Sequence, residues 1–220
     1  SMSFDQIFKK KIINLPKHKI INCHAGKLPF YRGRNILNWV LINDEKEFGI
    51  SVHYVNEKID KGDIILQKTF KISDKDDYQT LLKRSYVGCA NILYEAIKRF
   101  KKAKPKGLNQ NKIHPRGSYC SRRTAGDEIL NWYQPSRKIF NFVRAICRPG
   151  PIARSFINKK EMKINKVKYI KSSINYKDLV GSILKISSDG FLVKTKDSFI
   201  KVIDYEYDGK IQKGDKFEKK

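Results

Sequence analysis

The sequence is poor in long apolar runs and in acidic residues, and its few cysteines are widely spaced. No apolar run approaches the roughly 20 residues that a membrane-spanning helix needs, and the first residues carry no signal-peptide pattern. From these two absences we expect neither an integral membrane protein nor a secreted one. We therefore expect a cytoplasmic protein that has no membrane partner.

The four cysteines also exclude the usual metal and redox motifs. They are Cys23, Cys89, Cys120 and Cys147, and no two of them are closer than 27 residues. Zinc knuckles and redox dithiols need cysteines two to four residues apart. We expect reduced, structural cysteines and no metal site.

The shortage of acidic residues produces a strongly basic chain. Against 47 Lys and Arg there are 22 Asp and Glu, which gives a net charge of +25. Such a field attracts polyanions such as nucleic acids, nucleotides and anionic membrane surfaces. Because most of the excess is lysine scattered along the chain, we favour a solvated lysine-rich surface over a nucleic-acid interface.

Two polar residues end a short apolar run near the start of the chain. The run 20–24 ends with Asn22 and His24 and is followed by a loop, 26–34, that is rich in Gly, Pro and Arg. A buried parallel strand delivers polar groups to a site at its carboxyl end in this way. Side chains alternate along a strand, so Asn22 and His24 face the same side. A turn at 59–65 adds Asp60.

The sequence pattern predicts helices and strands in the first half of the chain. The predicted helices cover 5–14, with Asp5 as N-cap, 35–42, with Asn35 as N-cap, and 77–103, and the predicted strands cover 19–24, 48–55 and 64–72. The long third helix has an apolar stripe that predicts its buried face. That stripe consists of Tyr78, Leu81, Leu82, Tyr86, Ala90, Leu93, Ile97 and Phe100.

The second half has a different composition. Residues 104–126 are polar and contain Pro and Gly, which predicts a linker on the surface. A helix is predicted over 135–147, with Pro135 at its first position. Short alternating runs follow at 153–157, 161–170, 180–187, 191–195 and 199–205, which predict a small β barrel or an open antiparallel domain.

Several motifs together resemble the N10-formyltetrahydrofolate-dependent formyltransferases, a family that acts on methionyl-tRNA and on nucleotide-linked amino sugars. In the first half they are Asn22, His24, Leu28-Pro29-x-x-Arg32-Gly33 and Asp60-x-Gly62-Asp63-Ile64. In the second half they are Arg122-Arg123-Thr124-x-x-Asp127, Asn131-Trp132-x-x-Pro135 and Asn141-x-x-Arg144-Ala145. The resemblance covers most of the chain.

The resemblance implies an α/β fold. It implies an incomplete Rossmann-like catalytic domain in residues 1–126, a linking helix in 127–150 and a β-rich, OB-like domain in 151–220. The chain opens in what resembles the middle of the catalytic domain, so its sheet would expose an edge. Exposed edges invite pairing. We therefore expect either a homodimer that covers this edge or a marginally stable fragment.

The resemblance also implies the chemistry. Formyl transfer to an amine passes through a tetrahedral oxyanion, which needs hydrogen-bond donors and a group that handles the amine's protons. Asn22 would bind the oxyanion, His24 would donate a hydrogen bond or a proton, and Asp60 would orient His24 or accept the proton. The donor would be N10-formyltetrahydrofolate, with its contacts at Met2, Ser3, Phe4, Asp60 and Asp63.

The acceptor is predicted from the cations of the loop. Lys27, Arg32 and Arg34 would bind the substrate. Arg34 resembles the members that act on nucleotide-linked sugars, and its pairing with Lys27 favours a substrate that carries a diphosphate. We expect a nucleotide-linked amino dideoxy sugar, with dTDP as the nucleotide, used in surface glycan biosynthesis. Two alternatives stay open: methionyl-tRNA as the acceptor, and a non-catalytic binding module of the same fold. His18, His53 and His114 are expected to take no part.

Overall fold

The computed structural model describes residues 1, 2, 4 and 6–219. These residues form two compact units. The first consists of 1–40, 45–74 and 80–123, and the second of 41–44, 75–79 and 124–220. The predicted donor contact at Ser3 and the predicted N-cap at Asp5 lie outside the described residues.

The first unit contains most of the elements up to residue 123. In chain order the elements are helix α1 Lys10–Asn14, strands β1 Ile21–His24 and β2 Arg32–Gly33, helix α2 Ile36–Ile42, strands β3 Glu47–Tyr54 and β4 Ile64–Lys71, helix α3 Tyr78–Phe100, a 3-10 helix Gln110–Lys112 and strand β5 Tyr119–Cys120. Helix α1 is therefore half as long as predicted. The side-chain oxygen of Asn35 accepts the main-chain N–H of Arg123 at 2.9 Å, and its capping of α2 stays a prediction.

Strand β1 lies at the edge of a three-stranded sheet with the order β1-β3-β4. Both pairings are antiparallel, which corrects the expectation of a parallel strand at this place. A parallel bridge joins Met2 to Cys23 on the other side of β1, and the N–H of Cys23 donates to the carbonyl of Ser1 at 3.0 Å. The dimer across this edge stays a prediction.

Of the stripe predicted for helix α3, Leu81 is buried, but the rest of the buried face consists of other residues. Its buried residues are Leu81, Ser85, Gly88, Cys89, Ile92 and Ala96, whereas Tyr86 is 63% exposed. A Cβ at Gly88 would lie 2.5 Å from Ile50 Cδ1, so the missing side chain allows the helix to approach β3 closely. The apolar pattern alone missed this because three of the buried residues are small.

The predicted surface linker is an ordered part of the first unit. Strand β5 pairs in parallel with β2, so Arg32 lies opposite Tyr119. Leu108 and Ile64 exchange two main-chain hydrogen bonds of 2.8 and 2.9 Å. Gln110 is buried, which a solvated linker would not allow.

The second unit contains helix α4 and a five-stranded antiparallel sheet. Helix α4 covers Ser136–Ile146, with Pro135 just before it as N-cap. The strands are β6 Ala153–Ile157, β7 Lys160–Lys168, β8 Ile183–Ser187, β9 Gly190–Lys194 and β10 Phe199–Glu206, in the order β6-β7-β10-β9-β8. Buried residues alternate with less buried ones along β6 and along the first half of β10, as the sequence pattern predicted.

An aromatic stack supports this sheet. The rings of Trp132 and Phe217 lie 4.6 Å apart, and the Trp132 indole N–H donates to Ser155 Oγ at 2.9 Å. The OB-like assignment of the domain stays a prediction. Across the described ranges, no helix is both long enough and apolar enough to cross a membrane.

Candidate active site

The pairing of β1 with β3 places Asn22 opposite His53. Asn22 Nδ2 lies 3.3 Å from His53 Nε2, and His53 Nδ1 lies 2.8 Å from the carbonyl oxygen of Tyr54. A carbonyl can only accept, so His53 Nδ1 donates to Tyr54, and an amide nitrogen can only donate, so Asn22 Nδ2 is the donor in its contact with Nε2. His53 is 2% exposed, and this contact fixes which way the amide points.

The turn after β3 brings Asp60 to the same place. Asp60 Oδ2 accepts the main-chain N–H of Gly33 at 2.9 Å and lies 3.6 Å from His24 Nδ1. Its other oxygen, Oδ1, lies 3.5 Å from His53 Nε2. The structure thus brings Asn22, His24 and Asp60 together and adds His53, which we had expected to take no part.

A hydrogen bond from Nε2, the ring nitrogen that does not face Asp60, orients His24. Nε2 donates to the carbonyl oxygen of Tyr31 at 2.7 Å, which leaves Nδ1 facing Asp60. The space around this bond is tight, because a Cβ on Gly26 would lie 2.3 Å from His24 Nε2 and 2.4 Å from the Tyr31 oxygen. Only glycine at position 26 allows the loop to close over the ring in this way.

His24 and Asp60 differ in ionisation at neutral pH. Burial lowers the pKa of His24, and the nearby Asp60 and the Tyr31 carbonyl only partly offset this. For Asp60, burial raises the pKa, but the contacts with His53, His24 and the Gly33 N–H outweigh burial and hold that pKa below its usual value. The Gly33 N–H supports the carboxylate whether or not the imidazoles are charged. We infer an ionised Asp60 beside a neutral His24.

A buried pair of side chains holds the Asp60 turn. Gln110 Nε2 donates to the carbonyl oxygens of Asp60 and Gly62, each at 2.7 Å. Gln110 Oε1 accepts from Arg32 Nε at 3.0 Å and from Nη2 at 2.6 Å. Nothing in the polar segment 104–126 indicated this role for Gln110, because it depends on contacts between residues about 50 and 80 positions apart.

Two of the three cations predicted to bind the substrate make contacts within the protein instead. Arg32 is 1% exposed, and besides Gln110 it donates to the carbonyl of Arg116 at 2.9 Å, so it stabilises the fold instead of facing a substrate. Lys27 Nζ lies 2.5 Å from Glu47, which is six residues before His53 on β3, about 20 Å along the strand. Arg34 is exposed and directly follows Gly33.

The residues predicted to contact the donor lie in different surroundings. Met2 forms a bridge to Cys23, the residue between Asn22 and His24 in β1, and the side chains of Met2 and Phe4 are both exposed. Asp63 Oδ1 accepts from Asn109 Nδ2 at 3.2 Å, so its carboxylate is bound by the segment after α3.

Comparison with known proteins identifies the family. The model described as "Formyl transferase" matches residues 2–97, and "Formyl transferase, C-terminal domain" matches 123–219. Methionyl-tRNA formyltransferase of Alkaliphilus oremlandii is 32% identical over 97% of the chain and 67% of its own length. The enzyme of Fusobacterium nucleatum is 34% identical over 89% and 62%, and that of Thermodesulfovibrio yellowstonii is 32% identical over 95% and 65%. The chain thus spans about two thirds of the length of these relatives.

Solved structures show the same similarity. WlaRD, a sugar 3N-formyl transferase crystallised with dTDP and 5-N-formyl-THF, has a TM-score of 0.70 at 26% identity and covers 96% of the chain and 72% of its own. The N-formyltransferase of Helicobacter canadensis, crystallised with folinic acid and dTDP-3-aminofucose, has a TM-score of 0.66 at 25% identity and covers 86% and 67%. The two family models match in order along most of the chain, and this α/β protein with its small C-terminal β domain therefore belongs to the formyl transferase family.

Proposed function

We propose that this chain carries the reaction centre for formyl transfer from N10-formyltetrahydrofolate to a primary amine. The observation that supports this most directly is the cluster of Asn22, His24 and Asp60, in which the His24–Asp60 distance is 3.6 Å. The carboxamide of Asn22 has two N–H groups, and one of them is bound by His53. The second N–H is available to the oxygen of the formyl group as negative charge develops on it.

In the proposed reaction one proton leaves the amine and one proton is added to N10 of the folate. The amine nitrogen bonds to the formyl carbon, the bond from that carbon to N10 of the folate breaks, and N10 gains a proton while the amine loses one. An ionised Asp60 and a neutral His24 can both accept the amine's proton. His24 keeps its orientation throughout, because its Nε2–H stays on the Tyr31 carbonyl.

We propose that the donor's flat pterin ring binds beside β1, next to Met2. Met2 bridges to Cys23 of β1, Met2 and Phe4 both expose apolar side chains, and the centres of the Phe4 and Phe8 rings lie 4.6 Å apart. We propose Met2 and Phe4 as the contacts of the ring, with Ser3 between them in the sequence. Asp60, and more distantly Asp63, would supply polar contacts to the donor.

For the acceptor we propose a nucleotide-linked amino sugar, with dTDP as the nucleotide. The support is the exposed Arg34 next to the Gly33–Asp60 contact, together with the similarity to two sugar formyltransferases solved with dTDP or a dTDP-sugar. A guanidinium binds a diphosphate through paired hydrogen bonds. Arg32 is buried and Lys27 is paired with Glu47, so we do not propose either of them as a diphosphate ligand.

Methionyl-tRNA is the second candidate acceptor. It is favoured by the relatives that are 32 to 34% identical and are named methionyl-tRNA formyltransferases. The net charge of +25 is also compatible with a polyanionic substrate. This candidate predicts binding that weakens steeply as salt increases.

One assay separates these candidates. The purified chain is incubated with N10-formyltetrahydrofolate and, in parallel, with dTDP-3-amino and dTDP-4-amino dideoxyhexoses and with methionyl-tRNA, and the formylated products are measured by mass spectrometry. Formylation of a dTDP-amino sugar but not of methionyl-tRNA is the expected result. Formylation of methionyl-tRNA alone would contradict the sugar acceptor and identify methionyl-tRNA as the acceptor. A folded chain that binds the folate and formylates none of them would contradict formyl transfer and favour a binding module.

A further inference from the structure

A groove lined by strand β4 and helix α3 has no role in the proposed transfer reaction. It has a volume of about 690 Å³ and is lined by residues of β4 and of the segment 83–98 in α3. We propose that this groove binds a single-stranded segment of nucleic acid, about four to six nucleotides long, at a place separate from the formyl-transfer site. The proposal does not depend on which amine accepts the formyl group.

The groove is rich in cations. Its lining includes Lys68, Lys83, Arg84 and Lys98, and the single carboxylate among the described lining residues is Glu95. Glu95 is bound by Lys68 at 2.6 Å. The basic character continues past the groove, since residues 78–106 contain eight Lys and Arg and one acidic residue. A track of this kind attracts the phosphates of a polyanion.

The length of the groove fits a strand better than a single nucleotide. Lys83 and Lys98 are 15 residues apart on one helix, which corresponds to about 22 Å at 1.5 Å per residue. A stacked strand rises about 3.4 Å per nucleotide, so about six nucleotides span this distance. Sites for single strands begin at about four nucleotides.

Aromatic and apolar side chains lie between these cations. Tyr94 is 60% exposed and Val87 is 64% exposed, and Phe70 contributes its ring from β4. Lys98 Nζ lies 4.4 Å from the centre of the Tyr94 ring and so occupies one of its two faces. Bases stack on exposed aromatic rings while the backbone follows a basic groove, and this combination is typical of single-strand binding without sequence preference. A partner bound by charge alone would leave Tyr94 and Val87 in water.

The test uses the full chain and fluorescein-labelled 12-nucleotide oligouridylate and oligothymidylate, with binding followed by fluorescence anisotropy from 50 to 300 mM KCl. We expect both probes to bind. The double variant Lys83→Ala/Lys98→Ala should weaken binding at least tenfold at 50 mM KCl. It should also reduce the slope of log Kd against log salt by about 1.4, which is about 0.7 for each lost phosphate contact. The matched control, Lys160→Ala/Lys185→Ala, removes two exposed lysines from the other unit.

Three further variants test the groove itself. Tyr94→Ala should weaken binding about 5- to 150-fold through lost stacking, while Tyr94→Phe keeps the ring and should stay within twofold. Glu95→Gln should tighten binding about threefold or more, because it removes the carboxylate and releases Lys68. A gain of affinity cannot come from misfolding.

Three outcomes would overturn the proposal. The first is an equal loss of affinity in the Lys160→Ala/Lys185→Ala control, which would show that net charge alone binds the probe. The second is equal affinity for a 12-base-pair duplex, which offers no free bases for stacking. The third is competitive inhibition of formyl transfer by the oligonucleotide, which would place it in the transfer site.

Discussion

Asn22 and His53 face each other across the β1–β3 pairing, with Nδ2 of the first 3.3 Å from Nε2 of the second. His53 is in turn fixed by the Tyr54 carbonyl, so a chain of two hydrogen bonds sets the direction of the Asn22 amide. In the proposed reaction this amide binds the oxyanion. His53 is then a positioning residue for a group that acts on the reacting oxygen.

This relationship predicts the behaviour of two variants of His53. His53→Leu should lower kcat about 100-fold with little change in the KM of either substrate, because a misdirected amide no longer meets the oxyanion. His53→Gln, which keeps an acceptor near Asn22, should recover part of that loss. Steady-state kinetics check this, with circular dichroism to show that both variants fold. A purely structural role would lower stability in both variants and leave the kcat of the folded fraction unchanged.

A second prediction concerns the charge on Asp60. Asp60→Asn should lower kcat about 10²- to 10⁴-fold. It should also lower the pKa of His24 further, because Asp60 is the group that raises this pKa against burial. The ring protons of His24, followed by NMR from pH 8 to 4, report that pKa. Glu57→Gln, an exposed carboxylate in the preceding loop, is the control and should change neither quantity. An unchanged or raised His24 pKa in Asp60→Asn would refute the assigned interaction.

Arg32 and Arg34 offer a matched pair, because they are two residues apart and have opposite exposure. Arg34→Ala should raise the KM for a dTDP-amino sugar about tenfold and should change the free energy of unfolding less than Arg32→Ala does. Arg32→Ala should lower that free energy by about 2–5 kcal/mol, because Gln110 Oε1 and the Arg116 carbonyl lose their buried donors. Urea unfolding and substrate titration measure the two effects. A reversed pattern would mean that Arg32 binds substrate after all.

A fourth prediction concerns the tight packing around Gly26. A methyl group at this position would lie less than 2.5 Å from His24 Nε2 and from the Tyr31 carbonyl oxygen, so Gly26→Ala must displace the loop or the ring. We expect a loss of about 1–3 kcal/mol in the free energy of unfolding, together with a lower kcat. Urea unfolding and kinetics check both expectations. A variant as stable and as active as the wild type would show that the loop has room to adjust.

The pKa shifts predict how stability depends on pH. The pKa values of His24 and Asp60 are both lower in the folded protein than their ordinary values of 6.5 and 3.8. The unfolded chain therefore binds more protons on acidification, and the free energy of unfolding falls with decreasing pH. His24 contributes below about pH 6.5 and Asp60 below its ordinary value.

The contribution of His24 can be isolated with His24→Asn. Urea unfolding of both proteins from pH 7 to 5 should show a shallower decrease for the variant, because it lacks the group that gains a proton on unfolding. Equal slopes for the two proteins would contradict a lowered His24 pKa.

Much of the site could be predicted from the sequence, because its main residues follow local rules. Asn22 and His24 share a face through the two-residue period of a strand, and Asp60 follows from a recognisable turn motif. Family motifs at matching separations then indicated that these two segments act together. The structure places all three residues within one cluster.

What could not be predicted depends on pairing between distant segments. His53 joins the cluster through an antiparallel register with β1, whereas the sequence pattern suggested a parallel strand. Arg32 is buried because Gln110, 78 residues later, supplies an acceptor for its guanidinium. The buried face of α3 depends on the small residues Ser85 and Gly88, which carry little hydrophobic signal. Register, long-range polar contacts and packing of small residues are the parts that a local pattern does not contain.

The central claim is that the Asn22–His24–Asp60 cluster transfers a formyl group. The most direct test is the single-turnover rate of formyl transfer from N10-formyltetrahydrofolate to the preferred amine, compared between the wild-type chain and the variants Asn22→Ala and His24→Ala. We expect each variant to fold as the wild type does by circular dichroism and to transfer at least 100-fold more slowly. A rate within twofold of the wild type in either folded variant would contradict the role given to that residue.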